Sequence, residues 1–166
     1  SSAGPGVSLN YPAPSDPVDT LRSATINNVN INGAVGSGIR VTTSQQETQF
    51  TISGNVVAGA TSSGIEFNCL GAFSFDALLD GNPIVNNGAN EAIRLVASPI
   101  FGVATYRVTN NDLSGSSSDF FSTNNGAIVC FEIDANTFSA GSLLSVEHNS
   151  GGFTSTTLVD LPNLSN

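Results

Sequence analysis

Short apolar runs separated by clusters of Gly, Asn and Ser dominate the chain after Leu21. The runs are three to six residues long, and Gly, Pro, Ser, Thr and Asn interrupt every window that could carry an apolar stripe at the helical period. Runs of this length, bounded by turn residues, are typical of β-strands. The pattern therefore predicts an all-β protein, either a sandwich or a solenoid.

One unit recurs along these runs. The segments Thr25–Gly33 and Gly38–Val41 return as Thr51–Gly59 and Gly64–Phe67, and both ends of the unit are shifted by the same interval along the chain. The unit is an apolar residue, two variable residues, Asn, one variable residue and an apolar residue, followed by a short apolar strand. Three further copies begin at Leu79, Val108 and Ile133. Because a sandwich gives no reason for such a recurrence, it favours a solenoid.

Asparagine marks the same position of successive copies. The positions are Asn55, Asn82, Asn111 and Asn136, and the first copy has Val29 there. In a solenoid each would lie about 4.8 Å from its predecessor, and the slight variation in their spacing is absorbed by loops. Stacked asparagines can hydrogen-bond along the axis and tolerate the left-handed backbone of a sharp turn. The recurrence predicts a structural asparagine ladder in a parallel β-solenoid of about five coils.

The chain is predicted to form one domain with distinct ends. Residues 1–20, which contain four prolines, are expected to be an irregular lead-in or cap before a β-helix domain over 21–166. The repeats are expected at about 24–49, 50–77, 78–104, 105–130 and 131–153, and a tail over 154–166 covers or continues the other end. Caps are expected because an open end offers unpaired strand edges for aggregation.

Charge narrows the classes of partner. The 166 residues carry 13 acidic and 4 basic side chains, all four of them arginine, for a net charge of -9. This balance argues against nucleic-acid binding and against docking on an anionic membrane. No apolar run approaches the roughly 20 residues of a membrane helix, so no membrane insertion is expected. With no initiator Met, the sequence is interpreted as a mature product or a segment of a longer protein.

An outward residue interrupts the apolar strand of each copy, because side chains alternate across a strand. This residue is Arg40, then Glu66, then Arg94, and by the same spacing Ser122 and Glu147. We expect Arg40, Glu66 and Arg94 to form an alternating-charge column on one outer face. Opposite charges on adjacent strands contribute roughly 0.2 to 1 kcal/mol each, so the column is interpreted as a register-fixing ladder. The alternative is a groove for acidic sugars.

Carboxylate pairs and a histidine are the remaining candidates for catalysis. The candidate carboxylate pairs are Asp76 with Asp80 and Glu132 with Asp134, and no two carboxylates are adjacent. Outward polar positions explain them better than an acid–base dyad does. His148, the single histidine, is assigned to a loop or strand end, since no Gly-x-Ser-x-Gly elbow accompanies it. No catalytic residue is predicted.

Metal and disulfide chemistry is not expected either. The chain has no CxxC motif or His pair, and the segment between Asp112 and Asp119 is interpreted as a polar surface excursion rather than a calcium loop. Cys69 and Cys130 are separated by between two and three coils. On one face this separation gives roughly 10 Å or more, beyond the reach of a disulfide. We predict two free, buried thiols, with no metal and no cofactor.

The repeat resembles the right-handed parallel β-helix superfamily, which includes pectate-lyase-like proteins, NosD-type repeats and autotransporter passengers. Ile52–Val57 with Ser63–Phe67, and their copies over roughly 24–147, carry the resemblance. The resemblance implies a right-handed parallel β-helix of about five coils. Members of that superfamily are either enzymes or inert stalks. The lyases' adjacent aspartates and Gly-His-Gly element have no match in this chain.

Two functions therefore stay open. The first is a non-catalytic, extracellular structural or adhesive segment of a surface or secreted protein. Its expected partners are a polysaccharide, a cell-surface glycan or protein, or a second copy bound through coil ends or faces. The alternative is a carbohydrate-active lyase, hydrolase or epimerase, or a glycan-binding module of the pectate-lyase-like fold.

Overall fold

The computed structural model describes residues 4–11, 22–44, 48–70, 74–85, 91–98, 103–114, 118–124, 128–139, 144–148 and 156–159. Over these ranges the chain is all β, with fifteen strands and no helix, which confirms the predicted class. The strands are β1 (Val7–Tyr11), β2 (Arg22–Asn27), β3 (Asn30–Asn32), β4 (Ile39–Thr43), β5 (Thr48–Ser53), β6 (Val56–Ala58), β7 (Ile65–Leu70), β8 (Ser74–Asp80), β9 (Ile84–Val85), β10 (Glu91–Ser98), β11 (Val103–Thr109), β12 (Ser118–Asn124), β13 (Ile128–Asp134), β14 (Leu144–His148) and β15 (Thr156–Val159).

The strands form three sheets in which every pairing is parallel. Sheet 1 has the order β1-β4-β7-β10-β12-β14, sheet 2 has β2-β5-β8-β11-β13-β15, and sheet 3 has β3-β6-β9. Isolated bridges from Pro83 to Asp112 and from Asp112 to Thr137 continue sheet 3. From β2 onward the chain passes from sheet 2 through sheet 3 to sheet 1, then returns to sheet 2 one strand further along.

The sequence repeat corresponds to the strand register. Ile26 lies beside Ile52 in sheet 2, and Ile39 lies beside Ile65 in sheet 1, so the interval between the first two copies is the pairing offset of both sheets. Equivalent apolar residues consequently lie in inward columns. In sheet 1, Ile39, Ile65 and Ile93 are completely buried in adjacent strands.

Aromatic rings fill the core between sheets 1 and 2. In sheet 2 the inward column places Ala77 between Phe50 and Tyr106. Phe67 of sheet 1 contacts both flanking rings, with centroids 5.4 Å from Phe50 and 6.3 Å from Tyr106. Tyr106 also stacks on Phe131 at 5.5 Å. Burial, with a smaller contribution from Cys69, holds the pKa of the Tyr106 hydroxyl well above its ordinary value.

The start of the fold differs from the expected irregular lead-in. Val7–Tyr11 falls in the expected irregular lead-in but forms β1, which pairs with β4. Its residues alternate apolar and polar, and three of the four prolines follow it in the segment 12–21, which lies outside the described residues. At the other end Thr156–Val159 pairs with β13 and continues sheet 2.

Candidate functional site

The outer face of sheet 1 brings the three predicted charges together. The register places Glu66 of β7 between Arg40 of β4 and Arg94 of β10. Arg40 Nε lies 2.9 Å from Glu66 Oε2. Arg94 Nη1 lies 3.4 Å from Oε1 of Glu91, three residues earlier on its own strand. The two arginine side chains remain 40% and 37% exposed.

Glu66 is much less exposed than an outward strand position suggested, since only 11% of its side chain is accessible. Ser37 Oγ and Arg40 Nε donate to its Oε2 atom, and Asn68 Nδ2 donates to Oε1 at 2.9 Å. Burial alone would raise the pKa of this carboxyl. The hydrogen bonds from Ser37, Asn68 and Arg40 outweigh burial and hold the pKa below its ordinary value of 4.5.

A second carboxylate also accepts from a corner serine and an arginine, one strand further along. Ser63 Oγ donates to Glu91 Oε2 at 3.2 Å, and Arg94 donates to the other oxygen. Ser37 and its counterpart Ser63 are completely buried at the corners that precede β4 and β7. The charged cluster therefore has seven members: Ser37, Arg40, Ser63, Glu66, Asn68, Glu91 and Arg94.

The predicted continuation of the charge column is wrong beyond Arg94. Arg94 lies beside Phe121, whereas Ser122 lies beside Leu95 and is completely buried. Ser145, not Glu147, follows Phe121 in the column. The sequence spacing was misassigned by one residue at β12, and a one-residue shift moves every side chain to the opposite face.

The four asparagines form a continuous hydrogen-bonded column, which we call the asparagine column. The Oδ1 atom of each accepts from the backbone N–H of the residue one repeat earlier, from Val29 to Asn55 and onward to Asn136. Between asparagines, Oδ1 also accepts from the preceding Nδ2 at 2.9–3.0 Å. Each Nδ2 donates in addition to a strand carbonyl of the preceding repeat, those of Ile26, Ile52, Leu79 and Val108.

The left-handed backbone of this turn lies one residue before the column. Gly54 and Gly81 have φ of 62°, and Asn110 and Ala135 have φ of 55° and 53°. The expectation that the column asparagines themselves adopt this geometry is wrong. Their side chains instead satisfy buried backbone groups, while the preceding residue makes the turn.

The other candidate carboxylates do not converge on one point. Asp76 Oδ2 lies 3.0 Å from Arg107 Nη2 on the outer face of sheet 2, an ion pair that sequence reasoning missed. Asp80 accepts from Asn110 Nδ2 and Thr109 Oγ1, and these hydrogen bonds hold its pKa below the ordinary value. Glu132 and Asp134 are exposed.

The structure does not bring the cysteines, the histidine and the loop at Asp112 together into one site in the described part of the chain. Neither cysteine forms a disulfide, as predicted, but Cys130 is half-buried at an outward position of sheet 2, and only Cys69 is fully buried. His148 is a residue of β14, paired in register with Asn124. Asp112 Oδ1 accepts from the Ser114 N–H, and Asp119 lies in β12. Across the described ranges no three His, Cys, Asp or Glu side chains are grouped to hold a metal ion.

Ser37 and Ser63 were also missed, although the sequence contains their signal. Each precedes a glycine and an isoleucine at the start of a sheet 1 strand. A side chain cannot replace Gly38, because a Cβ there would lie 2.3 Å from Val57 Cγ1. The corner is therefore tightly packed, and its serine hydroxyl is directed to a carboxylate.

No protein-family model, curated protein or solved structure matches this chain. Among the residues that the structure describes, none belongs to a helix long and apolar enough to cross a membrane.

Proposed function

We propose that this chain is a right-handed parallel β-helix that acts as a non-catalytic structural or adhesive segment of a surface or secreted protein. The asparagine column carries the proposal, since its hydrogen bonds link all five repeats from Val29 to Asn136. The order of strands in the three sheets agrees with it. Right-handedness follows from the general rule for crossovers between parallel strands.

The charged cluster supports a structural role. Both Glu66 oxygens accept hydrogen bonds, and the lowered pKa keeps the group ionised at neutral pH. A carboxylate in this state is a poor proton donor, and a general acid requires a raised pKa. Two arginines and two glutamates also balance in charge, which suits a register-fixing network.

The extracellular assignment rests on composition. Low charge, the absence of lysine and an excess of Ser, Thr and Asn suit a stiff segment exposed to water and proteases. The partner classes that fit are a polysaccharide, a cell-surface glycan or protein, and a second copy of the chain.

A glycan-binding module or carbohydrate-active enzyme of the pectate-lyase-like fold is the second candidate. One observation favours it: Arg40 and Arg94 leave guanidinium groups partly exposed on either side of Glu66. Guanidinium groups bind carboxylates in bidentate geometry, so an acidic sugar could be recognised on this face.

Incubation with polygalacturonate and alginate, with and without calcium, tests the proposal. We expect no unsaturated product and no new reducing ends, and either product would refute the non-catalytic role. Binding to the same polymers is measured in parallel for the parent chain and for Arg94→Glu. If Arg94→Glu lowers stability but leaves binding unchanged, the cluster is structural; if it abolishes binding to a folded protein, the cluster is a binding site for acidic sugars.

A further inference from the structure

We propose that copies of this chain associate head to tail, with the end strands of sheets 1 and 2 of one copy pairing with those of the next. The proposal rests on the parallel β-helix of the proposed function, in which successive repeats stack on one another. Its starting point is a stagger between the two large sheets. Each has six strands, but β1 extends sheet 1 beyond the repeat that starts with β2, and β15 extends sheet 2 beyond the repeat that ends with β14.

The two extensions are complementary. Among the described strands, one end of the stack has an extra strand in sheet 1, and the opposite end has an extra strand in sheet 2. A shift of six strand positions places β1 of a second copy beside β14 of the first, and the same shift places β2 beside β15. Because all strands within a sheet are parallel, both new pairs would be parallel as well.

The end at β1 and β2 also has partly uncovered apolar side chains. Val7, Leu9 and Ala24 are only partly buried, although they pack against the core. Their neighbours one strand inward, Ile39 and Val41, are completely buried. Burial in these columns is thus lost at the end of the stack, where another strand would restore it.

Two of the four end strands lack the usual features that prevent edge pairing. Natural edges are blocked by charged residues, prolines or bulges. Strands β1 and β15 contain neither a charged residue nor a proline, whereas β2 contains Arg22 and β14 contains Glu147. Uncharged, β-branched or alternating sequences at an edge are suited to strand addition.

The backbone of β1 has donors available at this edge. The Val7 N–H donates to the Gly38 carbonyl at 2.9 Å, immediately before β4. In a parallel strand the N–H groups of successive residues point to opposite sides. The N–H of Ser8 therefore points away from β4, toward the position that β14 of a second copy would occupy.

Analytical ultracentrifugation of the 166-residue chain over a concentration series tests the head-to-tail contact between copies, which we call the joint. We expect the weight-average mass to rise at least twofold above the monomer. Ser8→Pro removes the outward donor while sparing the bonds to β4, so it should stay monomeric. Ser8→Ala keeps the N–H and should associate like the parent. Asn10→Lys provides a second edge block should Ser8→Pro fail to fold.

Mixing the parent chain with Ser8→Pro tests whether copies associate head to tail. Ser8→Pro retains an intact β14 and β15 end, so adding it to the parent should shorten the assemblies. Each added copy should lengthen an assembly by about 29 Å, six strand spacings of about 4.8 Å, in small-angle scattering. Screening by salt should favour association because each copy carries a net charge of -9.

A parent chain that is monomeric at every concentration overturns the joint, and so does a folded Ser8→Pro that associates like the parent. Circular dichroism separates these failures from failure of the proposed function. A β-rich, cooperatively unfolding monomer contradicts only the joint. Enzymatic product from the polysaccharide assay contradicts only the non-catalytic role.

Discussion

Replacing Asn82 with alanine tests the asparagine column at one of its interior positions. The Asn82 side chain donates to the Ile52 carbonyl and to Asn111 Oδ1, and it accepts from the backbone N–H and the Nδ2 of Asn55. The substitution removes all four bonds and leaves polar groups of Asn55 and Ile52 buried without these partners.

The structure sets the expected magnitude. A typical intramolecular hydrogen bond contributes about 1 kcal/mol, and a buried group left without a partner costs about 1 to 3 kcal/mol. Four bonds therefore give a loss of about 4 kcal/mol, a large part of the roughly 5 to 15 kcal/mol that usually stabilises a domain. The side chain of Asn55 makes three such bonds, because Val29 offers only its backbone N–H, so Asn55→Ala should cost less.

Urea unfolding followed by circular dichroism measures the difference. Asn30→Ala is the matched control, because the same chemical change at an exposed position of β3 should alter stability by less than about 0.5 kcal/mol. A loss below about 1 kcal/mol for Asn82→Ala would refute the reasoning. So would an Asn55→Ala variant that is destabilised more than Asn82→Ala.

Three further predictions concern the turn, the charged cluster and the thiols. Ala135→Gly should raise the unfolding midpoint and add about 0.5 kcal/mol, because φ of 53° costs alanine more than glycine loses in backbone freedom. The contribution of Glu66 should be present above its ordinary pKa of 4.5 and be lost as the pH falls through the lower folded value, so Glu66→Gln should destabilise the protein at neutral pH and much less near pH 3. Native protein should expose Cys130 slowly to a thiol reagent and Cys69 only after unfolding, so Cys130→Ser should abolish the native signal.

Each of these has a contrary result. A lower midpoint for Ala135→Gly would mean that the turn is not strained. A pH-independent difference between the parent and Glu66→Gln would mean that its pKa is the same folded and unfolded. Rapid native labelling of Cys69 would contradict its burial.

The repeat could be predicted from the sequence because its strongest signal is local. The apolar-x-x-Asn unit identifies a strand end and turn, and a constant offset aligns Ile26 with Ile52. The turn also has a sequence signal, since Gly54 and Gly81 stand immediately before the column asparagines, but the prediction placed the left-handed backbone on the asparagines themselves. Glycine is the residue that adopts positive φ at least cost.

Features that depend on contacts between repeats could not be predicted in this way. At β12 two successive phenylalanines precede Ser122, so alternation does not distinguish the inward residue from the outward one. The burial of Glu66 depends on Ser37, which precedes β4 and belongs to the preceding repeat. A strand pattern gives the face of a residue but not what covers it.

The inward column of sheet 2 limits how such a chain can change in length. Phe50 and Tyr106 are two strands apart because Ala77 lies between them, and Phe67 of the facing sheet contacts both rings. Deleting the repeat that carries Ala77 would bring the two rings side by side and remove the space that Phe67 occupies. Gain or loss of whole repeats therefore requires compensating changes of side-chain volume in the opposite sheet, so copies that share the same turn are not interchangeable modules.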